Sequence, residues 1–321
     1  MYGSFTSERL GMTFRGNMEV LSILKKQART PDHNVEWALS MPPGGQQGVY
    51  ATGIAQAIHE QNLTTGIDTI VASSAGAGSA YYLIAGADKD ETTRKIAEKA
   101  AEIFHTRNTD NEMVKLSLKR PVLDIKTLAV MFRDEYPIDP EVLRRSKTNL
   151  LVGLTDWDSG EHVVMNAAEY ENPLSLVVAS MLLAPLTGLP HRTVKIGGRR
   201  YLDGGVSRVV PDVSGYTHYL AIVPQPLNQR IPEIPGVKKA VETLSKAGLL
   251  PKFYNNFPRF IKQLNEDYSS LANHAETERQ INGTKLAVIS PTQFISPLSM
   301  NRAELLAAQE SARQFTLDLL K

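Results

Sequence analysis

The chain has no cysteine among its 321 residues. This absence excludes disulfide bonds, thiolate nucleophiles and zinc sites built on cysteine, and it leaves the cellular compartment undecided. An excess of charge of either sign is absent too, because 35 Lys and Arg residues stand against 34 Asp and Glu residues, for a formal net charge of +1. The chain therefore has no overall field that would draw it to nucleic acid, and we expect no nucleic-acid partner.

Long apolar runs are also missing. Two uncharged segments, 69–87 and 172–190, are broken by glycine, proline or hydroxyl residues. A membrane-spanning helix needs about 20 mostly apolar residues in a row, so we expect both segments to be buried core. Residues 1–15 lack the apolar run of a signal peptide. We therefore expect a cytoplasmic protein, with a peripheral membrane contact as an open alternative.

Strand and helix patterns alternate from residue 35 onwards. Apolar residues at every second position predict a strand at 35–41, and apolar residues at helical spacing predict a helix at 47–61. A β-branched run predicts a second strand at 68–72, followed by a helix at 75–87. This alternation predicts an α/β protein with three layers, α/β/α, and a largely parallel sheet. We expect five or six strands in that sheet.

Three regions are expected along the chain. Residues 1–34 are polar and irregular apart from one short helical pattern, and we interpret them as an N-terminal arm. Residues 35–225 form the main domain, and residues 226–321 form a mainly helical C-terminal extension packed on it. Aromatic and cationic residues are mixed at 249–260, which is typical of an interfacial segment. Packing of these aromatic rings on the protein's own core is the alternative.

The first chemical motif is Ala72-Ser73-Ser74-Ala75-Gly76, where a predicted strand turns into a predicted helix. It differs from the nucleophile-elbow pattern G-x-S-x-G only by alanine at the first position. At such a turn the serine hydroxyl projects above the sheet, and the next backbone N–H, from Ala75, points toward an oxyanion formed there. Ser74 is therefore a candidate nucleophile, with a tight packing turn as the alternative.

The second motif is the glycine loop Pro43-Gly44-Gly45-Gln46-Gln47-Gly48, which precedes the helix predicted at 47–61. Consecutive glycines leave backbone N–H groups free to face an anion, so the loop predicts an oxyanion hole or a phosphate cradle. The Walker pattern fails because no Gly-Lys-Ser/Thr follows, and the dinucleotide pattern fails on spacing. A nucleotide-binding module and a plain turn stay open as alternatives.

The third motif is Asp203-Gly204-Gly205, which by itself is usually a turn. Taken in order, the glycine loop, the Ser74 turn and this aspartate segment together resemble the patatin-like phospholipase family. The resemblance covers roughly residues 35–223 and includes Ala179-Ser180, which is similar to a stretch upstream of the family's aspartate. The tail through 285–291 is similar to an extension of some bacterial members.

The resemblance implies a serine acyl hydrolase that cleaves lipid or other carboxylic esters, as a phospholipase A does, through an acyl-enzyme. In this family a Ser-Asp dyad works without histidine, which here implies Ser74 as the nucleophile and Asp203 as the base. It also implies Gly44 and Gly45 as oxyanion donors beside Ala75. No metal or other cofactor is implied, and the expected partner is a lipid or ester substrate.

Three positions depart from the family pattern. Pro43 stands where the family has the first loop glycine, and a proline has no N–H to donate. Gln47 replaces a usual Arg or Lys, and Ala72 replaces a glycine. A catalytically silent patatin-like domain that binds an acyl lipid or a protein partner is therefore the alternative to an enzyme.

A histidine triad is the rival mechanism within the hydrolases. Ser74, Asp203 and His274 follow the chain order of α/β-hydrolases. That fold usually places several strands before its nucleophile, whereas one predicted strand here precedes the strand that leads to Ser74. We therefore favour the dyad, and His218 and His274 are the histidines to test.

Overall fold

The computed structural model describes residues 2–106, 128, 130–183, 187, 194–210, 214–227, 229, 243, 245–246, 257–278 and 280–321. The described strands are β1 (Tyr2–Ser7), β2 (Met12–Asn17), β3 (Trp37–Met41), β4 (Thr69–Ala72), β5 (Asn149–Asp156), β6 (His162–Asn166), β7 (Val194–Ile196), β8 (Arg199–Asp203), β9 (His218–Ile222), β10 (Gln280–Ile281) and β11 (Thr284–Pro291). The described α-helices are α1 (Glu19–Arg29), α2 (Gly48–Glu60), α3 (Ala75–Gly86), α4 (Glu91–Ile103), α5 (Glu141–Arg145), α6 (Pro173–Ala179), α7 (Phe257–Asn273) and α8 (Arg302–Leu319).

The strands join into one sheet with a parallel centre. Five strands run parallel in the order β11-β9-β3-β4-β5. Antiparallel strands extend both sides, with β2 and then β1 beyond β11, and β8 and then β7 beyond β5. Because parallel strands end at the same edge, the loops after β3, β4, β9 and β11 leave the sheet together.

Helices cover both faces of this parallel centre. Every residue of β3, β4 and β9 is buried, as expected for strands covered on both sides. Leu39 belongs to a large core cluster with side chains of α2, α3 and α8. Its neighbour Ala38 belongs to a smaller cluster with Leu271 of α7 on the opposite face. The predicted three-layer α/β/α fold with a largely parallel sheet is thus confirmed.

The ends of the chain contribute more strands than expected. Residues 1–34, which we expected to be irregular apart from one helix, contain the antiparallel pair β1 and β2 as well as α1. The C-terminal β11 lies inside the sheet, between β2 and β9. The described residues therefore form eleven strands, more than the five or six that we expected. The domain limits at 34 and 225 stay predictions.

The expectation for the aromatic and cationic segment 249–260 falls on residues that the structure does not describe. The mixed aromatic and cationic segment lies outside the described residues at 249–256, and so do the side chains of Phe257 and Phe260. None of the described helices has the length and apolarity to cross a bilayer.

The last helix, α8, packs on α2. Asn301 caps α8, its side chain accepting a hydrogen bond from the Glu304 N–H at 3.2 Å. The Glu304 carboxylate accepts from the Ser299 hydroxyl at 2.7 Å. The two helices approach closely at Gly53, where a Cβ would lie 2.2 Å from the carbonyl oxygen of Gln309. A glycine is therefore required at this crossing.

Candidate active site

Ser74 lies in the sharp turn that joins β4 to α3. Its backbone has φ +53° and ψ −129°, a combination that residues other than glycine rarely adopt. The other described non-glycine residues with positive φ are two asparagines, Asn62 and Asn282, a residue type that tolerates it. The turn requires glycine at position 76, because a Cβ there would lie 2.2 Å from the Met41 carbonyl oxygen. The local geometry is that of a nucleophile elbow.

A buried serine holds this turn to the neighbouring strand. The Ser74 N–H donates to Ser180 Oγ at 2.8 Å, and Ser180 Oγ donates to the Gly153 carbonyl at 2.7 Å. Ser180 is fully buried after α6, so both of its hydrogen bonds are shielded from water. Sequence reasoning singled out Ser180 through the family resemblance alone. Its contacts make it a positioning residue for the turn.

Asp203 ends β8 and is buried beside this turn. Its side chain is 3% exposed, and the Gly205 N–H donates to Oδ1 at 2.8 Å. Burial raises the pKa of Asp203 to about 7, while the Ser74 side chain and the hydrogen bond from the Gly205 N–H act to lower it. The Ser74 side chain and the Asp203 carboxyl therefore lie beside each other.

The glycine loop follows β3 and contacts both the turn that contains Ser74 and the segment that follows Asp203. The Pro42 carbonyl lies against Gly76 of the turn, and the Pro43 ring packs against Gly205, whose Cβ would lie 2.6 Å from Pro43 Cβ. Within the described part of the chain, the N–H groups of Gly44 and Gly45 have no hydrogen-bond acceptor. Gly44 and Gly45 follow the carboxyl end of β3, the edge of the sheet at which Ser74 also lies.

The Ala75 N–H is the third predicted donor. It is the first amide of α3, and among the described residues it donates to no acceptor. The amide of a first helical turn also carries the positive end of the helix dipole, which favours a negative charge placed there. Ala75 therefore suits an oxyanion formed next to Ser74.

A series of hydrogen-bonded polar side chains, which the sequence did not predict, contacts the backbone of Asp203. Thr155 Oγ1 donates to the Asp203 carbonyl at 2.7 Å and lies 2.8 Å from Ser207 Oγ. Ser207 Oγ in turn lies 2.9 Å from His162 Nδ1. Burial, followed by the charge of Arg208, lowers the pKa of His162 to about 4. His162 is therefore neutral at physiological pH and belongs to the support of the aspartate segment.

The histidines of the rival mechanism lie elsewhere. His274 follows α7, on the face of the sheet opposite α3, and its Nδ1 is 2.7 Å from the Ser270 carbonyl one turn earlier. His218 is the first residue of β9, at the amino edge of the sheet, whereas Ser74 follows the carboxyl end of β4. This placement favours the dyad over the triad.

The sequence matches the family model for patatin-like phospholipases over residues 39–211, just over half of the chain. The chain belongs to the patatin-like phospholipase family. The matched part of this patatin-like chain contains Gly44, Gly45, Ser74, Ala75 and Asp203. A search of curated proteins found no match.

Among solved structures, this patatin-like chain is similar to VipD from Legionella pneumophila, with 13% sequence identity and a TM-score of 0.42. The similarity covers 99% of this chain and 70% of that chain.

The structure shows the contacts of Pro43 and Gln47, two of the residues that depart from the family pattern. Pro43 packs on Gly205 and offers no N–H, so the loop has one donor fewer than the family pattern. The Gln47 side chain, 3% exposed, donates from Nε2 to the Ile295 carbonyl at 2.7 Å. Within the described residues, no group of three or more His, Asp or Glu side chains is arranged to hold a metal ion.

Proposed function

We propose that this patatin-like chain is a serine acyl hydrolase that cleaves lipid or other carboxylic esters with a Ser74–Asp203 dyad. One observation carries the proposal. The buried carboxyl of Asp203 has a pKa raised to about 7 and lies beside the Ser74 side chain. A free aspartate, with a pKa near 3.9, is a poor base for a serine hydroxyl, whereas a base with a pKa near the working pH is efficient.

The proposed reaction begins with acylation of Ser74. Asp203 takes the hydroxyl proton as Ser74 Oγ bonds to the ester carbonyl carbon, and the N–H groups of Gly44, Gly45 and Ala75 bind the resulting oxyanion. The bond from that carbon to the leaving oxygen then breaks, and Asp203 returns its proton to the departing alcohol. The product of this half-reaction is acyl-Ser74.

Deacylation repeats these steps with water. Asp203 takes a proton from a water molecule whose oxygen attacks the acyl carbon, and the same N–H groups bind the second oxyanion. The bond to Ser74 Oγ breaks, Oγ regains the proton held by Asp203, and the carboxylic acid leaves. The same carboxyl thus serves as base and as acid in both half-reactions.

Labelling with a fluorophosphonate probe tests the dyad. We expect the wild type and the control Ser73→Ala to react, because Ser73 is the neighbouring serine and lies outside the proposed dyad. Ser74→Ala should not react, and Asp203→Asn should react at least about 100-fold more slowly, since a positioned general base contributes about 10²–10⁴ in rate. Equal labelling of all four proteins would exclude Ser74 as the nucleophile.

A catalytically silent domain is the second candidate, and Pro43 is the observation that favours it. Loss of one oxyanion donor costs a serine hydrolase about 10²–10³ in rate. The silent domain would bind a fatty acid with micromolar affinity yet neither label nor hydrolyse an ester. Ester hydrolysis that Ser74→Ala abolishes decides for the enzyme.

A further inference from the structure

A C-terminal segment holds the glycine loop through two hydrogen bonds. The segment Ile295–Pro297 follows β11 and lies beyond the part of the chain that matches the family model. The Gln46 N–H donates to the Pro297 carbonyl at 2.9 Å, and Gln47 Nε2 donates to the Ile295 carbonyl at 2.7 Å. Residues about 250 positions apart are thereby joined beside the proposed oxyanion donors.

The glycine loop packs closely against the segment Ile295–Pro297. Gly45 has φ +55°, and a Cβ there would lie 2.6 Å from the Pro297 carbonyl oxygen. Gln47 and Ile295 are both buried, so breaking their hydrogen bond would leave a donor and a carbonyl without water to replace it. The Gln47 side chain also packs against Gly44, where a Cβ would lie 3.2 Å from Gln47 Cβ.

We infer that Ile295–Pro297 positions the oxyanion-binding loop, and that Gln47 is the positioning residue through which it acts. The inference rests on the proposed function. Oxyanion donors act only when they lie about 2.7–3.1 Å from the developing charge, and a misplacement of about 1 Å can cost 10²-fold in rate. Because Pro43 has no N–H, Gly44 and Gly45 carry this task for the loop, and their position matters more.

Gln47→Met tests the link, because methionine keeps the length of glutamine and removes its amide donor. We expect kcat for ester hydrolysis to fall by about 10- to 100-fold while KM stays within about twofold, since the donors act on the transition state. Gln47→Asn keeps an uncharged amide donor one methylene shorter, and we expect its kcat to lie between those of Gln47→Met and the wild type. If Gln47→Met does not fold, Gln47→Leu removes the donor without burying a charge and receives the same measurements.

Gln309→Met is the matched control. Gln309 is another buried glutamine, and its Nε2 donates to Gln56 Oε1 at 3.0 Å between α8 and α2, away from the loop. This variant removes a buried amide of the same kind. We expect its kcat to stay within about twofold of the wild type.

Hydrogen exchange at the Gln46 amide gives a readout that does not depend on activity. We expect faster exchange in Gln47→Met than in the wild type and unchanged exchange in Gln309→Met. If Gln47→Met keeps full kcat while Ser74→Ala is inactive, the inference is overturned and the proposed function stands. If the wild type is inert toward esters and fluorophosphonates, the proposed function fails, and unchanged exchange at Gln46 then overturns the inference by itself.

Discussion

Both residues of the proposed dyad, Ser74 and Asp203, are in energetically unfavourable local states. Ser74 has a strained backbone, of a kind that costs about 1–3 kcal/mol, and Asp203 has a carboxyl removed from water. The hydrogen bonds from the Ser74 N–H to Ser180 and from the Gly205 N–H to Asp203 act against these costs. Strain and burial at one site are typical of residues kept for chemistry rather than for stability.

The raised pKa of Asp203 predicts the pH dependence of activity. The base form is the carboxylate, so we expect kcat/KM to rise about tenfold per pH unit below about pH 7 and to level off above it. His162, with its pKa lowered to about 4, is neutral over this whole range and should add no limb. A pH profile from 5 to 9 measures this, and a profile that is flat over this range would contradict it.

The same shift predicts a pH-dependent stability. Because the folded pKa of Asp203 lies above the unfolded value, the folded state holds its proton more tightly, so stability falls as pH rises from about 4 to about 7. Asp203→Asn stays neutral and loses none of this. Urea unfolding at pH 5 and pH 8 should show the variant gaining relative to the wild type at pH 8, and an equal difference at both values would refute the linkage.

At the scale of elements, α2 and α8 cross closely at Gly53. We expect Gly53→Ala to destabilise the protein by about 1–3 kcal/mol, although alanine favours a helix, because the new Cβ meets the Gln309 backbone. Gly86→Ala is the control, since a Cβ there meets His59 at an ordinary 3.4 Å. Thermal unfolding compares the two, and an unchanged Tm for Gly53→Ala would argue against the tight crossing.

Local sequence patterns predicted the elements with local causes. The buried strand run of β4, the small residues after it and the Asn301 cap each act within a few residues, so the turn at Ser74 and the start of α8 could be predicted. The pairing of β11 between β2 and β9 could not, because nothing in residues 284–291 specifies a partner. The same holds for the bond from Gln47 to Ile295, which depends on how distant elements meet.

At the scale of the whole molecule, the expected main domain, residues 35–225, does not contain the complete sheet. A fragment of residues 35–225 would lack β11, which pairs with β9 along the open side of the parallel centre, and α8, which covers α2. It would expose the buried residues of α2 that α8 covers and the edge of β9 that β11 pairs with, and both exposures favour aggregation. We therefore expect this fragment to unfold without cooperativity in urea.

Deletion of residues 1–7 is the matched control, because β1 is an edge strand that pairs with β2 alone and is mostly exposed. This shorter chain keeps β2, β11 and α8 and should unfold cooperatively, with the near-ultraviolet circular dichroism of the buried Trp37 retained. A cooperative transition for 35–225 would show that the remaining strands suffice, and it would separate the glycine loop from Ile295–Pro297. The folded fragment's rate of ester hydrolysis would then show whether the site works without that segment.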